Sequence, residues 1–172
     1  MRPRSLLLAT MLVAVATTAT AASDPTKRLG RFGEWESYTF GDGANRTCYT
    51  ATAATKVQGA DKGKATAYLT VTHRPGTKSQ DVVSINSSFG FKKDSEVEVQ
   101  IGALKNTLFT KGDNAWTKDA ASDKVIVGAL RKGKEAVMHA SPAKGPAITV
   151  TFSLSGFADA LTATDKTCGV KR

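Results

Sequence analysis

Hydrophobic and polar residues alternate along most of the chain, and this pattern predicts β-strands. In Glu96–Ile101, for example, every second residue is Val or Ile and the residues between them are Glu or Gln. Successive side chains of a strand point to opposite faces, so this period of two indicates a strand with one buried face. The same pattern predicts further strands at Trp35–Phe40, Arg46–Thr52, Ala65–His73, Val82–Phe89, Thr107–Thr110, Ala115–Lys118, Glu135–Ala140 and Ile148–Leu154.

Two segments follow a helical period instead. Ser122 is a suitable N-cap for a helix over Asp123–Lys132, and Gly133 is a suitable stop. A strand through Val125-Ile126-Val127 is the alternative for part of this segment. A second, shorter helix is predicted after Ser155, with inward-facing residues at positions i, i+3 and i+4, namely Phe157, Ala160 and Leu161.

Many short strands with turn-rich connections and little helix are typical of an all-β protein. We therefore expect an antiparallel β-sandwich with one or two short helices. Four aromatic residues are expected in its core: Trp35, Trp116, Phe152 and Phe157.

The N-terminus has the features of a signal peptide. Arg2 and Arg4 precede the apolar segment Leu6–Ala16, and a tract of small residues follows. The Ala19-x-Ala21 motif predicts cleavage between Ala21 and Ala22. This divides the chain into a signal peptide, residues 1–21, and one mature domain, residues 22–172. An uncleaved anchor is the alternative, but the apolar segment is shorter than the roughly 20 residues that span a bilayer.

Cleavage would deliver a periplasmic or secreted protein with no transmembrane segment in its mature form. Peripheral association with the outer membrane is one option within that localisation. The mature domain keeps two cysteines, Cys48 and Cys168. Two cysteines in an oxidising compartment predict one structural disulfide, because their wide spacing fits neither a CxxC redox motif nor a zinc site.

The formal net charge is +9, and the basic residues are scattered along the chain, most of them next to Gly or other turn formers. Arg131, Lys132 and Lys134 form the first candidate surface for an anionic partner, and Lys92 and Lys93 form the second. An envelope or host-surface component is the expected partner, through long-range electrostatic attraction. Nucleic acid is not expected, since no basic stripe interleaves with aromatic residues. The alternative is that these charges only keep the surface soluble; the oligomeric state is left open.

Candidate catalytic residues are few. His73 and His139 are the only histidines. The chain contains no nucleophile-elbow, Walker, metal-ligand or calcium-loop motif, so no catalytic residue, metal or cofactor is predicted. A non-enzymatic binding protein is favoured. A periplasmic carrier of an apolar ligand and a histidine-dependent enzyme are the alternatives, which a large apolar pocket or a cleft joining both histidines to carboxylates would support.

Three motifs in a fixed order carry a family resemblance. They are Gly33-Glu34-Trp35, Cys48-Tyr49, and Phe152-Ser153-Leu154-Ser155-Gly156-Phe157 followed by Cys168. In this order they resemble the invasion-associated locus B family. The resemblance implies a β-sandwich exported to the periplasm or cell envelope, associated in some pathogens with entry into host cells. It supplies no catalytic residues.

Overall fold

A computed structural model describes residues 25–59 and 65–172. These ranges contain eleven strands and two α-helices. The elements in chain order are β1 Lys27–Phe32, β2 Trp35–Phe40, β3 Thr47–Ala53, β4 Lys56–Gln58, β5 Ala67–Arg74, β6 Ser79–Ser87, β7 Glu96–Ile101, β8 Leu104–Lys111, β9 Asn114–Trp116, α1 Ala120–Leu130, β10 Glu135–Ala140, β11 Ile148–Ser153 and α2 Phe157–Cys168. The predicted signal peptide, with Ala21 and Ala22, lies outside the described residues.

All eleven strands belong to one antiparallel sheet, in the order β1-β2-β3-β5-β6-β9-β8-β7-β10-β11-β4. The all-β, antiparallel prediction is confirmed. The predicted β-sandwich is not confirmed, because the described strands form one continuous sheet instead of two separate facing sheets.

The sheet curls strongly enough to bring distant strands together. β3 and β11 are third and tenth in the strand order, yet they are in contact. The backbone N–H of Thr55, just after β3, donates to the Thr151 carbonyl at 2.8 Å. A flat sheet would keep these strands far apart, so the shape is a curled half-barrel.

Helix α2 packs on the inner face of β1, β2, β3 and β5. Phe157, at its first turn, lies with its ring centroid 4.7 Å from that of Trp35. The Ser37 hydroxyl donates to the Ala160 carbonyl at 2.8 Å. These contacts make α2 the main cover for the inside of the curled sheet at this end.

Helix α1 packs on β6, β7 and β8. It begins three residues earlier than Asp123, because Asp119 and not Ser122 is its N-cap. The Asp119 carboxylate accepts a hydrogen bond from the Ser122 backbone N–H at 2.7 Å. Helix α2 likewise begins after Gly156, with no side-chain cap from Ser155.

The core contains the residues that the alternation places inward, with one exception. Trp35, Phe152 and Phe157 are fully buried, as predicted. The prediction for Trp116 is wrong, because its ring is only partly buried on the outer face, where it packs against Phe109 with centroids 5.7 Å apart. Cross-strand pairing of Trp116 with Phe109 places both rings on the outward side.

Candidate functional site

A groove of about 810 Å³ crosses the outer face of β2, β3 and β5. Tyr38 on β2 pairs with Tyr49 on β3, and their rings stack with centroids 5.2 Å apart. Further along β3, Ala53 pairs with Tyr68 of β5. Tyr49 and Ala53 are four residues apart, or about 14 Å at about 3.4 Å per residue. The groove therefore has aromatic rings near both ends.

The floor between these rings is low because β3 presents two small side chains. Ala51 and Ala53 are the outward residues that follow Tyr49, and Thr70 of β5 pairs with Ala51. Strand alternation puts all of them on one face. An Ala-x-Ala segment flanked by tyrosines thus creates a depression in what would otherwise be an even sheet surface.

Glu34 and Glu36 line the β2 side of the groove, with Arg31 nearby, and Glu36 lies opposite Ala51. Arg28 forms an ion pair with Glu36 at 2.8 Å, and the Tyr38 hydroxyl donates to the same carboxylate. That hydrogen bond raises the pKa of Tyr38, with partial burial adding to the effect. Burial raises the pKa of Tyr49. Both phenols therefore remain protonated at neutral pH and can act as hydrogen-bond donors.

Two tyrosine hydroxyls in the groove are available to a ligand. Those of Tyr49 and Tyr68 have no hydrogen-bond partner within the described ranges. Tyr68 is also 49% exposed, which is high for an aromatic residue. The groove thus offers ring faces, free phenolic hydroxyls and carboxylates to solvent.

The two cationic clusters predicted from the sequence lie at opposite ends of β10. Arg131, Lys132 and Lys134 precede this strand, whereas the backbone N–H of Lys92 donates to the carbonyl of Ser141, just after it. The six residues of β10 span about 20 Å. All five cations, including Lys93, are exposed and have no ion pair in the part of the chain that the structure describes. The two clusters therefore form separate surfaces.

The end of the sheet that carries Lys92 and Lys93 gathers more cations than the sequence indicated. Three loops meet there through backbone hydrogen bonds: Phe91 N–H to the Gly112 carbonyl at 2.8 Å, Lys92 N–H to the Ser141 carbonyl at 2.9 Å, and Ala143 N–H to the Gly90 carbonyl at 3.2 Å. These loops bring the exposed Lys111 and Lys144 to the same end. We call Lys92, Lys93, Lys111 and Lys144 the three-loop lysine cluster.

His73 lies in a buried polar cluster, where no ligand can reach it. Its side chain is fully buried, and Nδ1 accepts the Asp81 backbone N–H at 3.1 Å. A register irregularity between β5 and β6 and a left-handed backbone at Asp81 (φ 61°) produce this geometry. Nε2 lies 3.2 Å from an Asp165 carboxylate oxygen, without a hydrogen-bond partner among the described residues.

Arg172 joins the two carboxylates of this cluster. Its guanidinium donates to Asp165 at 2.5 and 2.9 Å and to Asp81 at 2.6 and 3.0 Å. Burial alone would raise the pKa of Asp165, but contacts with His73 and Arg172 outweigh it and lower this pKa below the ordinary value of 3.8. Burial alone would lower the pKa of Arg172, but its hydrogen bonds to Asp81 and Asp165 outweigh burial and raise this pKa. This cluster ties the chain after α2 to the β5–β6 hairpin.

The two histidines do not meet in one cleft. His139 lies on β10, and its Nδ1 is 3.2 Å from the Thr149 hydroxyl. Its neighbours in a shallow pocket include only one carboxylate, that of Glu96. In the described ranges, no group of three or more His, Cys, Asp or Glu residues is placed to hold a metal ion. The arrangement that would have favoured a histidine-dependent enzyme is therefore not seen in these residues.

Within residues 25–59 and 65–172, neither helix combines the length and apolarity needed to cross a membrane.

The predicted disulfide is present. Cys48 on β3 and Cys168 at the end of α2 are bonded, with Cα atoms 6.1 Å apart and a sequence separation of 120. The bond fixes the last turn of α2 to the strand on which the helix packs. It lies beside the His73 cluster, because Cys48 pairs with His73 across β3 and β5.

The fold defines a disulfide-linked, all-β protein built on one antiparallel sheet. The family model described as "Invasion associated locus B (IalB) protein" matches residues 35–165. The chain belongs to this family, which confirms the resemblance drawn from its motifs.

A solved structure shows the same fold. The chain is similar to the crystal structure of invasion associated protein B from Bartonella henselae, with a TM-score of 0.54 and 19% sequence identity. The similarity covers 80% of this chain and 96% of that one. No curated protein matches the sequence significantly.

Proposed function

We propose that this chain is an exported, non-enzymatic envelope protein that binds an anionic surface through the three-loop lysine cluster. Membership of the invasion-associated locus B family supports an envelope role, and the name of its Bartonella relative suggests an association with host-cell invasion. The disulfide supports an oxidising compartment, because such bonds persist mainly outside the cytosol.

One observation carries the choice of surface. Backbone hydrogen bonds between three loops hold four lysines at one end of the sheet, and none of these lysines has an ion pair among the described residues. Some other exposed cations already lie in ion pairs, such as Lys105 with Glu98 and Lys118 with Glu96, whereas Arg131, Lys132 and Lys134 are unpaired among the described residues but lie on a single loop. Because these lysines have no ion pair, they can attract an anionic surface without first breaking one. The hydrogen bonds between the loops keep the lysines together.

Two charge-reversed variants test the proposal. Both have the same net charge, but their substitutions lie at opposite ends of β10. The first carries Lys92→Glu, Lys93→Glu and Lys144→Glu; the matched control carries Arg131→Glu, Lys132→Glu and Lys134→Glu at the other end of β10. Binding of each to vesicles with and without anionic phospholipid is measured by sedimentation at about 0.15 M and about 1 M salt. A basic residue at such a surface contributes about 1 kcal/mol, so losing three weakens binding by roughly 100-fold or more.

We expect wild type and the control variant to bind anionic vesicles at the lower salt and to be released at the higher, where the Debye length falls from about 8 Å to about 3 Å. The three-loop variant should not bind. Equal binding by all three proteins, or binding that is indifferent to salt, would contradict the proposal. Equal loss in both variants would show that overall charge matters and that the three loops have no special role.

A further inference from the structure

We infer that the tyrosine groove on β2, β3 and β5 is a second binding site, and that it takes an uncharged oligosaccharide of N-acetylated sugars. This site differs from the three-loop lysine cluster in its lining residues and in its chemistry, although its Asn86 donates a hydrogen bond to Asp113 in the loop next to Lys111.

The rings have the arrangement that flat sugar faces require. Tyr38 and Tyr49 are stacked at one end, and the half-exposed Tyr68 is near the other, about 14 Å away along the strand direction. Tyr38 and Tyr49 stack on each other, which covers one face of each ring, so the half-exposed ring of Tyr68 is the main apolar face against which the C–H face of a pyranose can pack. The spacing suits several linked sugar units better than a single one.

The polar groups between the rings match the substituents of such a sugar. Phenolic hydroxyls of Tyr49 and Tyr68 lack partners among the described residues, and Glu34 has no ion pair there. These groups supply both donors and acceptors for hydroxyl and amide groups. The methyl side chains of Ala51 and Ala53 form an apolar floor, where the methyl of an acetamido group can pack while its N–H and C=O reach the neighbouring polar groups.

The charge of the groove selects against anionic ligands. On a chain with a formal net charge of +9, the groove contains two carboxylates, Glu34 and Glu36, and one lining cation, Arg31. Arg28 neutralises Glu36. The groove therefore has no excess positive charge. A phosphate or sulfate group would be attracted more strongly to the lysine surfaces than to the groove.

The experiment measures binding of the N-acetylglucosamine tetramer to the full mature protein by isothermal titration calorimetry, with the glucose tetramer of the same linkage as a comparison. Tyr68→Ala should weaken binding at least tenfold, and Tyr68→Phe should weaken it less because the ring remains. Phe109→Ala is the matched control, since Phe109 is similarly exposed (42%) on the outer face but does not line the groove. Thermal unfolding of each variant verifies that the fold is retained.

Absence of binding to the tetramer, or equal binding by wild type and Tyr68→Ala, would overturn the inference. Capture of a proline-rich peptide in place of the sugar, lost in Tyr68→Ala, would assign the groove to a protein partner and also overturn it. The Lys92, Lys93 and Lys144 charge-reversed variant should bind the tetramer normally. Failure of either proposal is thus distinguishable from failure of the other.

Discussion

The indole Nε1 of Trp35 donates a hydrogen bond to the Ser153 carbonyl at 3.0 Å, which joins β2 to β11 across the opening of the curled sheet. Trp35→Phe removes the donor while keeping an aromatic ring. We expect it to lower the free energy of unfolding by at least about 1–3 kcal/mol, because the Ser153 carbonyl loses its partner and the smaller ring leaves part of the core unfilled. Urea denaturation measures the change.

Trp116→Phe is the control for this experiment. Trp116 lies on the outer face, and its indole N–H has no hydrogen-bond partner in the described residues. Its replacement should change stability by no more than about 0.5 kcal/mol. A similar loss in both variants would mean that the cross-sheet hydrogen bond does not hold the curl closed.

Gly156 occupies a position that no other residue fits. Its φ is 89°, and a Cβ there would lie 1.9 Å from the Phe32 carbonyl oxygen. Gly156→Ala should therefore prevent α2 from docking, seen as loss of the cooperative unfolding transition. Gly128→Ala is the control, because Gly128 lies within α1 with open space around its Cα and Ala is the better helix former by up to about 1 kcal/mol. Normal folding of Gly156→Ala would show that the β1–β2 turn can move away.

Removing the disulfide should destabilise the protein substantially. Cys48→Ser is expected to cost about 2–5 kcal/mol, mainly because the unfolded chain is no longer constrained across a long loop. Cys168→Ser should give the same loss, and the double variant should lose no more than either single one. Chemical denaturation under non-reducing conditions tests this. Additive losses would indicate that each side chain contributes through packing and that the bond itself matters little.

The Asp165 cluster predicts a specific acid sensitivity. The folded-state pKa of Asp165 lies below its ordinary value of 3.8, so this group stabilises the fold above about pH 3.8 and loses its effect as the pH falls through the folded value. Asp165→Asn should lower stability at pH 7 by about 1.5–3 kcal/mol, since hydrogen bonds to charged groups are lost. The difference from wild type should shrink below about pH 4. A difference independent of pH would contradict the assignment.

The mature protein is expected to begin at or next to Ala22. Its intact mass after recovery from the native periplasm should correspond to removal of residues 1–21 and to a closed Cys48–Cys168 bond. Mass spectrometry before and after reduction measures both features. An N-terminus at Met1 would contradict the signal peptide, and free thiols would contradict the oxidised state.

The alternation of side chains predicted the central strands well because their faces differ sharply in polarity. Trp35–Phe40, Glu96–Ile101 and Glu135–Ala140 have the predicted bounds. β1 and β4 were not predicted. β1 is basic and interrupted by Gly30, and β4 has three residues whose strand character comes from pairing with β11, as when Val57 meets Val150. Such edge strands are defined by their neighbours and leave little local signal.

The candidate surfaces could be predicted only in part. Lys92 and Lys93 are visible as a pair in the sequence, but Lys111 and Lys144 join them only through loop contacts. The groove was missed because its tyrosines are separated in sequence and meet through strand register. Ala51 and Ala53 appeared as ordinary strand residues, although an Ala-x-Ala segment flanked by aromatic residues in a strand was the available signal.

The order in which the chain emerges has a consequence for how it matures. Cys48 is 120 positions ahead of Cys168, and the curl closes only when β11 reaches β2 and β3. A ribosome or a translocation channel delivers the chain N-terminus first. Until α2 has emerged, Cys48 therefore has no disulfide partner and the curled sheet cannot close. Contacts so remote in sequence form slowly. During that interval the Cys48 thiol can form mixed disulfides with other thiols. Although the protein has a single disulfide, its maturation should therefore depend strongly on oxidative folding catalysts.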